Sequence, residues 1–171
     1  MAKWKISGTG DTVALSDGGT ADLDLFDHSY TNNMVTGAGT DKIIAPGVKG
    51  DFVLKFTNDS DVAARVTFDG STVTGTAAAE PIMYSLTSSA DGDLALDKAG
   101  LIAALNEKFE NIDPGTTIDE VKVYWGWKFY VDNAGDIADT TLGKASAAAP
   151  RTTYILTINA KAEQLAPTTT P

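Results

Sequence analysis

Cysteine is absent from the 171-residue chain, which excludes disulfide staples, thiolate nucleophiles and cysteine-ligated metal centres. Its absence does not fix a compartment, because cytosolic and many secreted bacterial proteins alike do without disulfides. Histidine is nearly absent: His28 stands alone, so neither a His-Glu-x-x-His zinc motif nor a three-histidine site exists. Positive charge is scarce, with 13 Lys plus Arg against 23 Asp plus Glu and a formal net charge of -10. That balance repels a phosphate backbone, and nucleic acid is not expected as a partner. No apolar run approaches the ~20 residues that a membrane-spanning helix needs. The segment from Met1 to Lys5 has no apolar h-region. One reading takes Met1 as an initiator placed on a mature domain; an export signal has then been removed ahead of it.

What is present is strand chemistry. Ala2, Trp4 and Ile6 alternate with Lys3, Lys5 and Ser7 ahead of Gly8 and Gly10, the period-two pattern of a first strand at residues 2–7. Ala21, Leu23 and Leu25 alternate with Thr20, Asp22 and Asp24, giving one apolar and one carboxylate face. Residues 27–42 read as a long loop with a short extended piece behind it, and Pro46-Gly47 as a turn. Phe52, Leu54 and Phe56 form the inner face of a strand that turns at Asn58-Asp59-Ser60 into Ala64, Val66 and Phe68. Short strands are expected at residues 72–74 and 81–86.

The period then changes. Leu101, Ile102, Leu105 and Phe109 share a helical face, with Lys98, Asn106, Glu107 and Lys108 largely elsewhere. Asp97 is the expected N-cap, and Leu96 with Leu101 the hydrophobic staple. Without further strand-helix alternation, this helix is a crossover or a lid over one end of a sandwich. The strongest strand spans residues 118–130, with Val121, Val123, Trp125, Trp127 and Phe129 on one parity, and reads as a central strand that either protrudes beyond the sheet or bends at Gly126. Tyr154, Leu156, Ile158 and Ala160 mark the last strand. The pattern predicts an all-β, jelly-roll-like two-sheet β-sandwich of seven or eight strands, with one inserted helix near 97–110. Residues 1–162 form the single domain, and residues 163–171 a flexible Thr/Pro tail.

Candidate chemistry is sparse. Asp27, His28 and Ser29 are too close along an extended segment to converge as a catalytic set, so His28 is a loop histidine. Asp22 and Asp24 share a solvent face, and Asp119 and Glu120 have opposite parity, so neither pair reads as an acid-base couple. Asp132, Asp136 and Asp139 hold enough oxygen atoms for a weak calcium site, although their spacing fails the EF-hand pattern; solvated turn residues are the stronger expectation. Trp125 and Trp127 continue the Val121-Val123 core face, against the alternative of an aromatic carbohydrate platform with Tyr124 or Tyr130. The Asn58-Asp59-Ser60 sequon has low specificity and reads as a turn. Lys42, Lys49 and Lys55 are too scattered for a nucleic-acid patch. The residues point away from an enzyme, and no cofactor is expected.

Three ordered pieces resemble the TasA/camelysin family of bacterial biofilm-matrix fibre proteins: residues 45–63 with Pro46-Gly47 and Phe52-Val53-Leu54, the aromatic strand Val123-Tyr124-Trp125-Gly126-Trp127-Lys128-Phe129, and the acidic stretch 132–143. Leu23-Asp24-Leu25 resembles the family's first sheet strand, and the likeness extends loosely over residues 1–162. The resemblance implies a jelly roll, export behind a cleaved signal peptide, and polymerisation in which the N-terminal segment of one subunit completes a sheet of the next. Ala2, Trp4 and Ile6 are then the assembly strand of an extracellular homopolymer, with matrix polysaccharide or the cell surface as further contacts. Some members of that family have been described as metalloproteases; this chain lacks the zinc motif, and the label does not carry over. The alternative reading is a monomeric extracellular carbohydrate- or surface-binding module using residues 27–42 and 132–143.

Overall fold

Alternation between core and solvent governs the strands. The computed structural model describes residues 6–10, 13–15, 20–24, 46–69, 73–74, 82–128, 134–135, 137, 139–141 and 155–166. In chain order these form β1 (Ile6–Gly10), β2 (Val13–Leu15), β3 (Thr20–Asp24), β4 (Lys49–Asn58), β5 (Ala64–Asp69), β6 (Val73–Thr74), β7 (Ile82–Ser85), α1 (Lys98–Lys108), β8 (Thr117–Trp127) and β9 (Ile155–Gln164). The result is a mostly β chain with two antiparallel sheets. One has the order β2-β1-β4-β8-β7; in the other β9 is central, with β3 on one side and β5 and β6 on the other.

Both sheets feed one core. Phe52, Leu54 and Phe56 of β4 and Val123 and Trp125 of β8 are buried with Val66 and Phe68 of β5 and Leu156 and Ile158 of β9. Phe56, Phe68 and Phe109 come from the first sheet, the second sheet and the end of α1. Their ring centroids are 5.1–5.8 Å apart, and edge-on or tilted contact of this kind adds about 0.5–1.5 kcal/mol per pair beyond burial.

Helix α1 begins as the sequence predicts, with the Asp97 carboxylate accepting from Gly100 N at 2.7 Å. Leu101 and Leu105 are fully buried, and two such side chains at roughly 2 kcal/mol each outweigh the ~1 kcal/mol that Gly100 costs the helix. Its position differs from a lid over an end. It touches β5 and β7, the edge strands on one side, while β2 and β3 lie beside one another on the opposite side. Leu96, just before the helix, exchanges two main-chain hydrogen bonds with Tyr84 of β7.

Several strand boundaries move. The first strand continues through Gly8 and Gly10, because β4 supplies a partner for each residue from Ile6↔Asn58 to Gly10↔Leu54. β2 was not anticipated: three residues are too few to show a period, and pairing with β1 defines them. β8 stops at Trp127, where its last groups exchange bonds with Gly47 and Val48; Phe129 and Tyr130 lie outside the described residues. Gly47 takes φ 89°, the positive value the Pro46-Gly47 turn requires. β9 runs to Gln164, opposite Ala64, so residues 163 and 164 belong to the sheet.

A bulge explains a parity the sequence could not follow. Leu54 registers with Val121 and Phe56 with Ile118, so Asp119 and Glu120 together oppose Lys55. Glu120 absorbs the extra residue with φ 37°, a value unusual for a side chain with a Cβ.

Candidate functional site

The site the sequence singled out is the N-terminal strand and the seam it makes. Ile6 opens β1 and registers with Asn58; Ala2 and Trp4 lie outside the described residues. β1 is held on one side by β4 and on the other by β2. Among the described residues β2 pairs only with β1, so the β1–β2 hairpin joins the first sheet through a single ladder of five residue pairs, Ile6↔Asn58 to Gly10↔Leu54. Two of the five β1 residues are glycine and one is a large aliphatic. Glycine within a strand weakens it, because it brings backbone entropy and no side chain.

The seam ends on a buried polar knot. Asn58 follows Phe52, Leu54 and Phe56 on the inward parity of β4 and is fully buried. Its Nδ2 donates to Val62 O at 2.9 Å and to Ile112 O at 2.8 Å, while Oδ1 accepts from Ser60 N at 3.0 Å. Its main chain bonds Thr116 O and Gly115 N. With both amide protons engaged inside the protein, Asn58 in the folded chain is no glycan acceptor. The inward parity of the residue was a signal available in the sequence, masked by its resemblance to an ordinary turn.

The acidic segment is partly described. Asp132 and Asp136 lie outside the described residues, while residues 134, 135, 137 and 139–141 are helical. Asp139 accepts the indole proton of Trp127, Nε1 to Oδ1 at 2.8 Å, which ties this segment to the end of β8. Among the described residues no group of three or more His, Cys, Asp or Glu is placed to hold a metal ion.

Trp125 and Trp127 are core residues, 0% and 5% exposed, and so present no aromatic platform to solvent. Gly126 between them pairs with both Lys49 and Met83 and marks no bend. Its missing side chain instead makes room for buried Leu94, whose Cδ1 would stand 2.8 Å from a Cβ there.

On the solvent sides, Lys122–Asp51 and Arg65–Glu163 pair across strands, and Lys161–Glu163 pairs along β9. A hydrogen bond from Lys122 to Asp51, with Nζ 3.2 Å from the carboxylate, raises the lysine pKa above its ordinary 10.5. Glu163 accepts from Lys161 at 2.7 Å and from Arg65 at 2.8 Å, and these two cations lower its carboxyl from 4.5 to about 2. These are exposed surface pairs that favour register more than stability. His28, Asp27 and Ser29 lie outside the described residues.

The residue that sequence reasoning missed is Asn106. Expected on the solvent side of α1, it is half-buried: its Oδ1 accepts from Phe68 N at 2.6 Å and its Nδ2 donates to Phe68 O at 3.2 Å. The available signal was an asparagine, a poor helix former, between Leu105 and Phe109 on the buried side. No helix among the described residues is long and apolar enough to cross a membrane. No family model, curated protein or solved structure matches the chain.

Proposed function

We propose that this chain is the structural subunit of an extracellular protein fibre or biofilm matrix, a jelly roll that polymerises by donating its N-terminal strand to a neighbouring copy. The observation that carries the reading is the attachment of β1. It is a five-residue, glycine-containing strand inserted beside β4, and it brings only β2 with it.

Withdrawal of the hairpin leaves the β4–β8 ladder and the shared core of Phe52, Leu54 and Phe56 in place. It also exposes the β4 groups that β1 had paired. An equivalent strand from a second copy restores the same main-chain bonds, so exchange costs little in the ladder and links two molecules. The patterned segment Ala2, Trp4 and Ile6 supplies the apolar side chains for that contact, burial of Trp4 being the largest gain. The likeness of residues 45–63, 123–129 and 132–143 to the TasA/camelysin family supports the same reading, and with it secretion to the matrix or cell surface.

Electron microscopy of the full chain beside a variant lacking residues 1–7 tests the proposal. Regular filaments from the full chain, lost in the deletion and in Trp4→Asp while near-UV circular dichroism keeps a folded signature, are the expected result. Filaments unchanged by the deletion would refute strand donation.

A further inference from the structure

The outer edge of β5 is occupied by something other than a strand. Ala64 exchanges two main-chain bonds with Ile112, N to O at 3.0 Å and O to N at 2.7 Å. Val66 N donates to Phe109 O at 3.0 Å. Phe68 is bonded on both its N–H and its C=O by the side-chain amide of Asn106. A three-residue step along 106, 109 and 112 thus meets a two-residue step along 68, 66 and 64. Five outward main-chain groups of one edge strand are satisfied by one continuous segment that forms no ladder.

Open strand edges template association with other chains, and β-proteins suppress this by covering or interrupting them. We infer that the end of α1 is an edge cap that denies β5 to the strands of a second copy, confining self-association to the side of the molecule where β2 and β3 lie. The inference deepens the fibre reading, on which it rests for the identity of the incoming strand. In a chain built to pass strands between copies, an uncapped β5 would accept the same strands sideways and turn a linear assembly into a branched one. Asn106 is the critical element, because its amide reproduces the donor and acceptor that a neighbouring strand residue would offer Phe68. Phe109, buried between Phe56 and Phe68, anchors the cap to both sheets.

The chain has no cysteine, so a single thiol reports edge pairing cleanly. Thr67→Cys places one on β5, and a short bismaleimide then traps any two chains whose β5 edges meet. In purified full chain, Thr67→Cys combined with Asn106→Ala is expected to give at least about tenfold more crosslinked dimer than Thr67→Cys alone, with a matching shift to larger species in sedimentation velocity. Equal crosslinking by the two proteins, with the double variant folded and sedimenting unchanged, would overturn the cap. Hydrogen exchange of the unmodified chain decides even if the variant fails to fold. The Val66 and Phe68 amides are expected to be protected as well as those of the β4–β8 ladder, and rapid exchange at both would overturn the cap. Deletion of residues 1–7 tests donation by the N-terminal segment and leaves β5 and α1 untouched, so a failure there is separable from a failure here.

Discussion

The indole of Trp125 lies against the α-carbon of Gly50, its cross-strand partner: a Cβ built on that glycine would stand 2.5 Å from Cζ2 and 2.6 Å from Cε2. The tryptophan fills on β8 the space that a side chain on β4 would take. Gly50→Ala must therefore displace a buried ring in the middle of the core. An overpacking cost of about 1–3 kcal/mol is expected, read as a lower urea midpoint in tryptophan fluorescence. Gly92→Ala, where an added Cβ meets nothing within 4 Å, is expected to leave the unfolding free energy within about 0.5 kcal/mol of the parent.

Asn58 ties the β4–β5 turn to the segment that follows α1. Replacing it by alanine removes both donations, to Val62 O and Ile112 O, together with the acceptor of Ser60 N. Each buried group left unpaired costs about 1–3 kcal/mol, so Asn58→Ala is expected to be among the most damaging single changes, losing at least about 3 kcal/mol in urea denaturation. Asn58→Asp keeps the acceptor and loses the donors, and should fall below the parent as well.

How much of this was open to a reader of the sequence depends on the kind of signal. Strict alternation located the cores of β4, β5, β8 and β9, because Phe52, Val66, Trp125 and Ile158 stand where a period of two puts them on the inside. The same rule failed at the bulge, since Asp119 and Glu120 share one opposing residue and nothing in their chemistry announces it. It failed again at β2, whose three residues are defined by a neighbour. Asn106 was expected away from the buried face, and the burial of Asn58 at its turn went unforeseen, for a common reason. A polar side chain reads as solvent-facing until its buried partner is known, and those partners lie 54 and 38 residues away along the chain.

Asp139 offers a direct test of the acidic segment. If its carboxylate is the acceptor for Trp127, Asp139→Ala should shift Trp127 emission and lower stability by about 1.5–3 kcal/mol, while Asp139→Asn retains the acceptor and most of the stability. Calcium at about 1 mM, the upper range for weak extracellular sites, is expected to leave both the emission and the calorimetric baseline unchanged. A saturable heat would restore a cation site at this end of β8.

The ion cluster on the second sheet predicts a pH dependence. In the folded chain the Glu163 carboxyl is depressed from 4.5 to about 2 by Lys161 and Arg65, so the folded state holds its proton less readily than the unfolded state. Its contribution is fully present above pH 4.5 and lost as pH falls toward 2. Glu163→Gln should accordingly be slightly less stable than the parent near neutral pH, with the difference closing across that acid window in urea titrations. A difference that stays constant with pH would show that the pairing is not coupled to folding.

The central place of β9 also sets a timetable. Among the described residues β3, β5 and β6 have no strand partner other than β9, which is synthesised after all three. Among the described residues the first sheet has its five strands once Trp127 has been made, whereas every described ladder of the second needs residues 155–164. For that interval the inner face of β5 is an unfinished surface, and a chain truncated before Ile155 keeps it so. Closure of the second sheet therefore waits on a segment made well after the strands it joins.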